Sequence, residues 1–437
     1  MKKWNAWLWS SIIIAVFILI GTPFWGWIIK PVTQLDVLII NKTVPDETYR
    51  EHLGLTWFFN QQKIRKSNGQ DYRLDKDYVG YVPKANNTYE VRPYPNKDIQ
   101  HDIIYIADGY GVYEADLLTG NEQGERSELI YGGMTAEDVD YIRNAVFQHG
   151  TTLIGEFNTF GSPTSHEVRE SFYQLYNLEW TGWIGRFFDQ LEGLEVPVWA
   201  KENYEQQFGE QWNFSRKGMV FVDESDRVIV LTEKDMLRKE VLFQYTTQGI
   251  DTLGLTESAP YHYWFDIIVP QNEAEVLATF SLALTEEAES LLKENGIPTM
   301  FPSVVHHQNP AYESYYFSGD FADQADLPAL YQTVGFSTFK KWRAKSRDDL
   351  ESFYWRIYSP LMSEIIKRQK EKELKEEREL EAYFNGSYFI PGKSGSDYLQ
   401  MYKDGQWEDF LIKGVNMGIA KPGTWPGDTK ICFLTLL

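Results

Sequence analysis

The sequence has one cysteine, Cys432, among its 437 residues. An internal disulfide and a cysteine-based metal cluster are therefore excluded. There are seven histidines, and none falls in an H-x-x-x-H or H-E-x-x-H spacing, so the common helical zinc motifs are absent too. No G-x-x-x-x-G-K-[ST] loop and no G-x-S-x-G elbow occurs, and G-Y-G-V-Y at 109–113 is not a dinucleotide fingerprint. No metal and no cofactor is expected. Positive charge is scarce: 42 Lys and Arg stand against 63 Asp and Glu, a net charge of −21. Nucleic acid is excluded as a partner on that ground, because phosphate binding needs a cationic face. Disorder is excluded by the 43% of hydrophobic residues. The length suggests two to three domains.

Residues 6–29 contain no charged side chain, follow Lys2 and Lys3, and carry Trp4, Trp7, Trp9, Trp25 and Trp27 toward the two ends. About 20 apolar residues cross a bilayer as a helix, and tryptophans favour its interfaces. The pattern predicts a retained transmembrane anchor over 1–33, in contact with the lipid bilayer through 6–29. The lysines place the N-terminus in the cytoplasm and the bulk of the chain outside. A cleaved signal peptide is the alternative, disfavoured by the length of the run and its bulky end.

Beyond Pro31, strand and helix patterns alternate. L-D-V-L-I-I at 35–40, D-I-I-Y-I-A at 102–107, T-T-L-I-G at 151–155 and E-S-Y-Y-F at 313–317 read as short buried strands. Thr135 and Asp138 predict a capped helix that stops at Gly150. Residues 66–101 read as polar loops. Residues 354–380 read as one long helix, its second half alternating Lys/Arg with Glu. The expected class is α/β: an N-terminal transmembrane helix (1–33), a doubly wound and mostly parallel sheet (34–330), a helical spacer (331–382) and a short β-rich C-terminal piece (383–437).

Ligands of open α/β sheets bind outside the carboxyl ends of the strands. The polar residues following each predicted strand are Asn41, then Asp108, then Glu156 and Asn158, then Asp320. Side by side, these strands would gather them on one rim. Asn41 and Asn158 become candidates for ligand binding, and Glu156, Asp108 and Asp320 for acid–base chemistry. Each also has a plain reading as a turn former or cap, least so Glu156. His306 and His307, adjacent on one strand, would point to opposite faces and cannot share a metal.

The strand–helix order around D-I-I-Y-I-A-D-G-Y-G-V-Y and T-T-L-I-G-E-F-N-T-F-G resembles the class I glutamine amidotransferase-like fold. That family carries a nucleophilic cysteine in the elbow after the strand corresponding to 151–155. Glu156-Phe157-Asn158 stand there instead, so the resemblance implies the fold without amidotransferase chemistry. F-L-I-K-G-V-N-M-G-I-A-K-P-G-T-W-P-G-D at 410–428 is similar to the first strand and loop of (β/α)8-barrel glycoside hydrolases. That resemblance would put Asn416 on a ligand-binding face. A barrel needs about 250 residues and only 429–437 follow, so a truncated barrel start is expected. The resulting expectation is a membrane-anchored, extracytoplasmic relative of glycoside hydrolases acting on cell-surface or secreted polysaccharide, inactive as this chain. The alternative is a non-catalytic carbohydrate-binding or scaffolding component of an envelope polysaccharide system.

Overall fold

The structure, a computed structural model, describes residues 2–117, 124–324, 326–344 and 351–386. Its contacts separate the chain into a unit at Met1–Leu361 and a second at Met362–Leu437. Residues 387–437, including Asn416 and the barrel-like stretch, lie outside the described residues.

The first unit is built on a ten-stranded sheet. Its strands in chain order are β1 (Val37–Asn41), β2 (Val79–Lys84), β3 (Thr88–Arg92), β4 (Ile103–Asp108) and β5 (Thr152–Gly155). A second, four-stranded sheet supplies β6 (Leu178–Phe188), β7 (Gly218–Asp223) and β8 (Val228–Thr232). Next come β9 (Leu242–Tyr245), β10 (Ala259–Pro260), β11 (Phe265–Pro270), β12 (Glu275–Ser281), β13 (Phe301–Gln308) and β14 (Glu313–Phe317). The large sheet runs β10-β9-β12-β13-β14-β5-β4-β1-β2-β3, and the small one β8-β7-β6-β11.

The sheet is mixed, which corrects the doubly wound, mostly parallel expectation. Only the block β14-β5-β4-β1-β2 is parallel; the pairings from β14 outward to β10, and of β2 with β3, are antiparallel. The loops explain this. Residues 309–312 join β13 to β14, and 85–87 join β2 to β3; neither is long enough for the crossover that parallel neighbours require. Residues 66–101, read as loops, contain β2 and β3. In β2, Tyr81 and Val82 are buried.

The parallel block is covered on both faces, as its unbroken apolar strands demand. Leu38, Ile40, Ile104, Ile106 and Leu153 pack with Ile142 and Val146 of α3 (Ala136–His149) and Phe172 and Leu175 of α4 (His166–Tyr176). Thr135 and Asp138 form the predicted capping box of α3, and Gly150 ends it in the left-handed region. On the other face, Tyr105 meets Tyr358 of a π-helical turn at Tyr354–Tyr358, and Phe58 of α2 (Arg50–Gln62) lies edge-on to the same ring.

The N-terminal run forms the helix α1 (Lys2–Ile29). Among the described residues, no helix is long and apolar enough to cross a membrane. This overturns the transmembrane anchor, the lipid partner through 6–29, and the cytoplasmic-N-terminus, extracytoplasmic localisation that depended on it. The last turns of that helix are engaged with the α/β unit. The Trp27 indole donates to Gln61 O at 2.9 Å, the Val334 amide donates to Pro23 O at 3.2 Å, and the Lys63 ammonium donates to Ile28 O at 2.7 Å while lying over the Trp27 ring. The apolar run read from the sequence is thereby shortened to residues 6–22, about 26 Å at 1.5 Å per residue and less than a hydrocarbon core of roughly 30 Å.

Candidate functional site

The register of the parallel block puts the predicted rim residues side by side. Asn41 of β1 lies opposite Asp108 of β4, and Gly155 of β5 lies opposite both Ile106 of β4 and Tyr316 of β14. The parallel strands end on one edge, so Asn41, Asp108, Glu156, Asn158 and Asp320 all leave the sheet there.

The inner part of the rim is a closed network. Asp108 Oδ1 accepts from the Thr43 hydroxyl at 2.5 Å and the Tyr110 amide at 2.6 Å, and Oδ2 accepts from the Asn158 amide group at 2.9 Å. Asn158 takes a φ of 67°, which an Asn tolerates better than a branched side chain. Asn41 Oδ1 accepts from the Thr43 amide at 2.9 Å, and its Nδ2 donates to His52 Nδ1 at 2.7 Å. The other ring nitrogen of His52 donates to Leu74 O at 2.9 Å. Burial first of all pushes His52 down to about 4, so the neutral ring needed for this arrangement is the stable one. Asn41, Asn158 and Asp108 are thus fully engaged in holding three loops together.

Glu156 is 1% exposed. Its Oε1 accepts from the Tyr105 hydroxyl at 2.5 Å, and the Ala322 backbone amide also hydrogen-bonds the carboxyl. Burial, then the nearby Asp320, raises it well above the carboxylate range and favours its protonated form. Asp320 lies nearer the surface. Its backbone amide donates to the Tyr261 hydroxyl at 2.7 Å, an approach that Gly319 allows: a Cβ there would lie 2.2 Å from that oxygen. Burial, then Asp323, pushes the Asp320 carboxyl up to about 8.

Further residues not foreseen from the sequence lie at the rim or behind it. Arg50 donates to Asp323 through Nε and Nη2 at 3.4 and 3.0 Å, and its Nη2 lies 3.9 Å from Asp320. Glu51 is raised by burial and then by Asp320 and Asp108. The only sequence signal for the pair was the helix start just beyond the loop after β1. Asp266, mid-strand in β11, also went unread because it sits inside an apolar run. Its Oδ2 accepts from the Tyr316 hydroxyl, and burial pushes it up to about 7. Half-buried Tyr263 is coupled electrostatically to Asp323, Asp320 and Arg50, and the exposed Tyr110 ring stacks obliquely on Tyr113 at 4.7 Å.

At the opposite edge of the sheet, a cavity of about 450 Å³ is lined by Glu273, Glu275, His306, Gln308, Asn309 and Pro310. His306 Nδ1 faces Glu275 at 2.9 Å and Nε2 faces Glu313 at 2.8 Å, while His307 lies near Tyr312. No group of three or more His, Cys, Asp or Glu residues is arranged to hold a metal among the described residues.

No family model matches the sequence, and no curated protein matches it. Solved structures with similar coordinates include the carbohydrate deacetylase Agd3, at 12% identity and a TM-score of 0.31, covering 66% of this chain and 30% of that one. An exo-β-1,4-mannosidase from Opitutaceae bacterium strain TAV5 aligns at 10% identity and a TM-score of 0.27, covering 75% and 35%. A putative ThuA-like protein from Bacteroides uniformis aligns at 11% identity and a TM-score of 0.31, covering 70% and 92%. The chain spans about a third of the length of the deacetylase and the mannosidase. The chain is similar to two carbohydrate-active enzymes at this remote level.

Proposed function

We propose that the first unit is a non-catalytic glycan-binding domain whose ligand sits on the carboxyl-end rim. The supporting observation is the division of the rim into two layers. Asn41, Asp108, Asn158 and Glu156 are spent on internal contacts or withdrawn from solvent, which suits a rigid floor. Arg50, Glu51, Asp320 and Asp323 lie nearer the surface beside Tyr263, which suits hydroxyl recognition flanked by a ring. A general acid or nucleophile must reach the substrate, and Glu156 cannot.

A glycan array followed by titration calorimetry tests this. Arg50→Ala and Asp323→Asn should each weaken binding about tenfold or more without loss of fold. If the intact protein binds no glycan, or both variants bind as well as it does, the proposal fails. Release of reducing sugar that disappears in Asp320→Asn would replace it with a hydrolase in which the protonated Asp320 is the acid.

A further inference from the structure

The hairpin of β2 and β3 stands past the end of β1. In the parallel pairing Asn41, the last residue of β1, lies opposite Gly80 of β2, so Tyr81 and Pro83 continue beyond it on the rim side. Tyr89 of β3 lies opposite Pro83, about 10 Å past Asn41 at roughly 3.3 Å per residue. There three rings form a corner. Tyr89 stacks on Tyr81 with centroids 4.6 Å apart and planes 15° apart, and Tyr131 lies 5.9 Å from Tyr81 and 6.4 Å from Tyr89, tilted by 48° and 50°. Tyr81 is 1% exposed and Tyr89 41%. One face of the Tyr89 ring is thus held against a buried ring, and the outward face is open to solvent.

The corner is fixed to the rim loops. Gly111, in the loop after β4, approaches Tyr131 so closely that a Cβ would lie 2.3 Å from Tyr131 O, and its amide donates to the Thr43 hydroxyl at 2.7 Å. The Lys42 ammonium lies 5.3 Å from the centroid of the Tyr131 ring. Lys42 is paired with Asp138 at 2.8 Å, and Lys84, at the end of β2, with Glu90 at 3.0 Å. The flanking cations are therefore committed, and what the corner offers a ligand is a ring face. Such a face, negative through its quadrupole, receives the weakly positive C–H face of a pyranose, and a ring already stacked loses little freedom in doing so. Val79 packs with α3 and α4, and Tyr81, two residues on, shares that side of the sheet; Arg50 belongs to α2 on the other. The carboxyl ends of β1 and β4 lie between. We propose that the tyrosine corner is a second sugar subsite, stacking a neutral pyranose on Tyr89, so that the ligand of the rim is an oligosaccharide chain crossing the strand ends and not a single sugar. This rests on the glycan-binding reading and names its ligand as a chain.

Calorimetry with the β-linked disaccharides and hexasaccharides of glucose, mannose and N-acetylglucosamine tests the inference. At least one hexasaccharide should bind about thirtyfold or more tightly than its disaccharide, beyond the few-fold gain that several binding registers alone give. Tyr89→Ala should cost that hexasaccharide about tenfold and leave the disaccharide within about twofold, whereas Tyr89→Phe should bind both as the parent does, since stacking needs the ring and not the hydroxyl. Circular dichroism checks both folds. Arg50→Ala should weaken both lengths. A length gain of only a few-fold in the parent, or a Tyr89→Ala variant that binds the hexasaccharide as well as the parent, overturns the second subsite and leaves the glycan reading intact. Weakened disaccharide binding in a folded Tyr89→Ala would make Tyr89 part of the rim's first subsite and also overturn the inference. Failure of every probe defeats both readings.

Discussion

Asp266 offers the sharpest test of the electrostatics behind the rim. Its folded-state pKa is about 7 against an ordinary value of 3.8, chiefly through burial. The difference is about 3 units, or about 4 kcal/mol at 1.36 kcal/mol per unit. The raised value means that the folded state binds the proton more tightly than the unfolded chain does. The stability tied to this group is therefore fully present below pH 4, and it is lost as pH rises through 7. Asp266→Asn keeps the shape and the acceptor for the Tyr316 hydroxyl but cannot ionise. Guanidinium unfolding at pH 5, 7 and 9 should show the variant gaining on the parent from pH 5 to pH 9 by about 3 kcal/mol, most of it before pH 7. Comparing variant with parent isolates Asp266 from Glu156 and Asp320, which titrate in the same direction. A difference that stays flat across pH, or a parent that gains stability between pH 5 and 9 relative to the variant, would refute the argument.

Two further outcomes follow from packing. Gly249→Ala lies in the first turn of the short helix Thr247–Leu253, where helix propensity alone predicts a gain of about 1 kcal/mol; its Cβ, however, would sit 1.8 Å from Leu277 O, so thermal or chemical melts should show a loss of about 1–3 kcal/mol instead, and a gain would contradict the close approach. Lys42→Ala leaves the 1% exposed Asp138 without its cation and should cost about 3–5 kcal/mol by denaturant titration, whereas a loss below about 1 kcal/mol would show that Asp138 is satisfied by Tyr94 and its own helix cap.

Much of the rim was legible because strand-to-loop transitions are local. L-D-V-L-I-I, D-I-I-Y-I-A and T-T-L-I-G announce themselves as buried strands, and the polar residue after each is simply the next one along the chain. The capping box of α3 was legible for the same reason, since Thr135 and Asp138 are three residues apart. The two layers of the rim were not. Whether Glu156 faces solvent or the Tyr105 hydroxyl depends on a side chain 51 positions away, and Arg50 meets Asp323 across 273 positions.

The sheet's direction was lost because short apolar strands look alike in parallel and antiparallel surroundings, and because Gly80 and Pro83 interrupt the apolar pattern of β2 while β3 is largely polar and exposed. The N-terminal run shows the same division. Its composition alone determined a long apolar helix. Tertiary contacts of Trp27, Pro23 and Ile28 decided that its last turns belong to the α/β unit, because an apolar face can be satisfied by protein as well as by lipid, and only the fold reveals which partner is in reach.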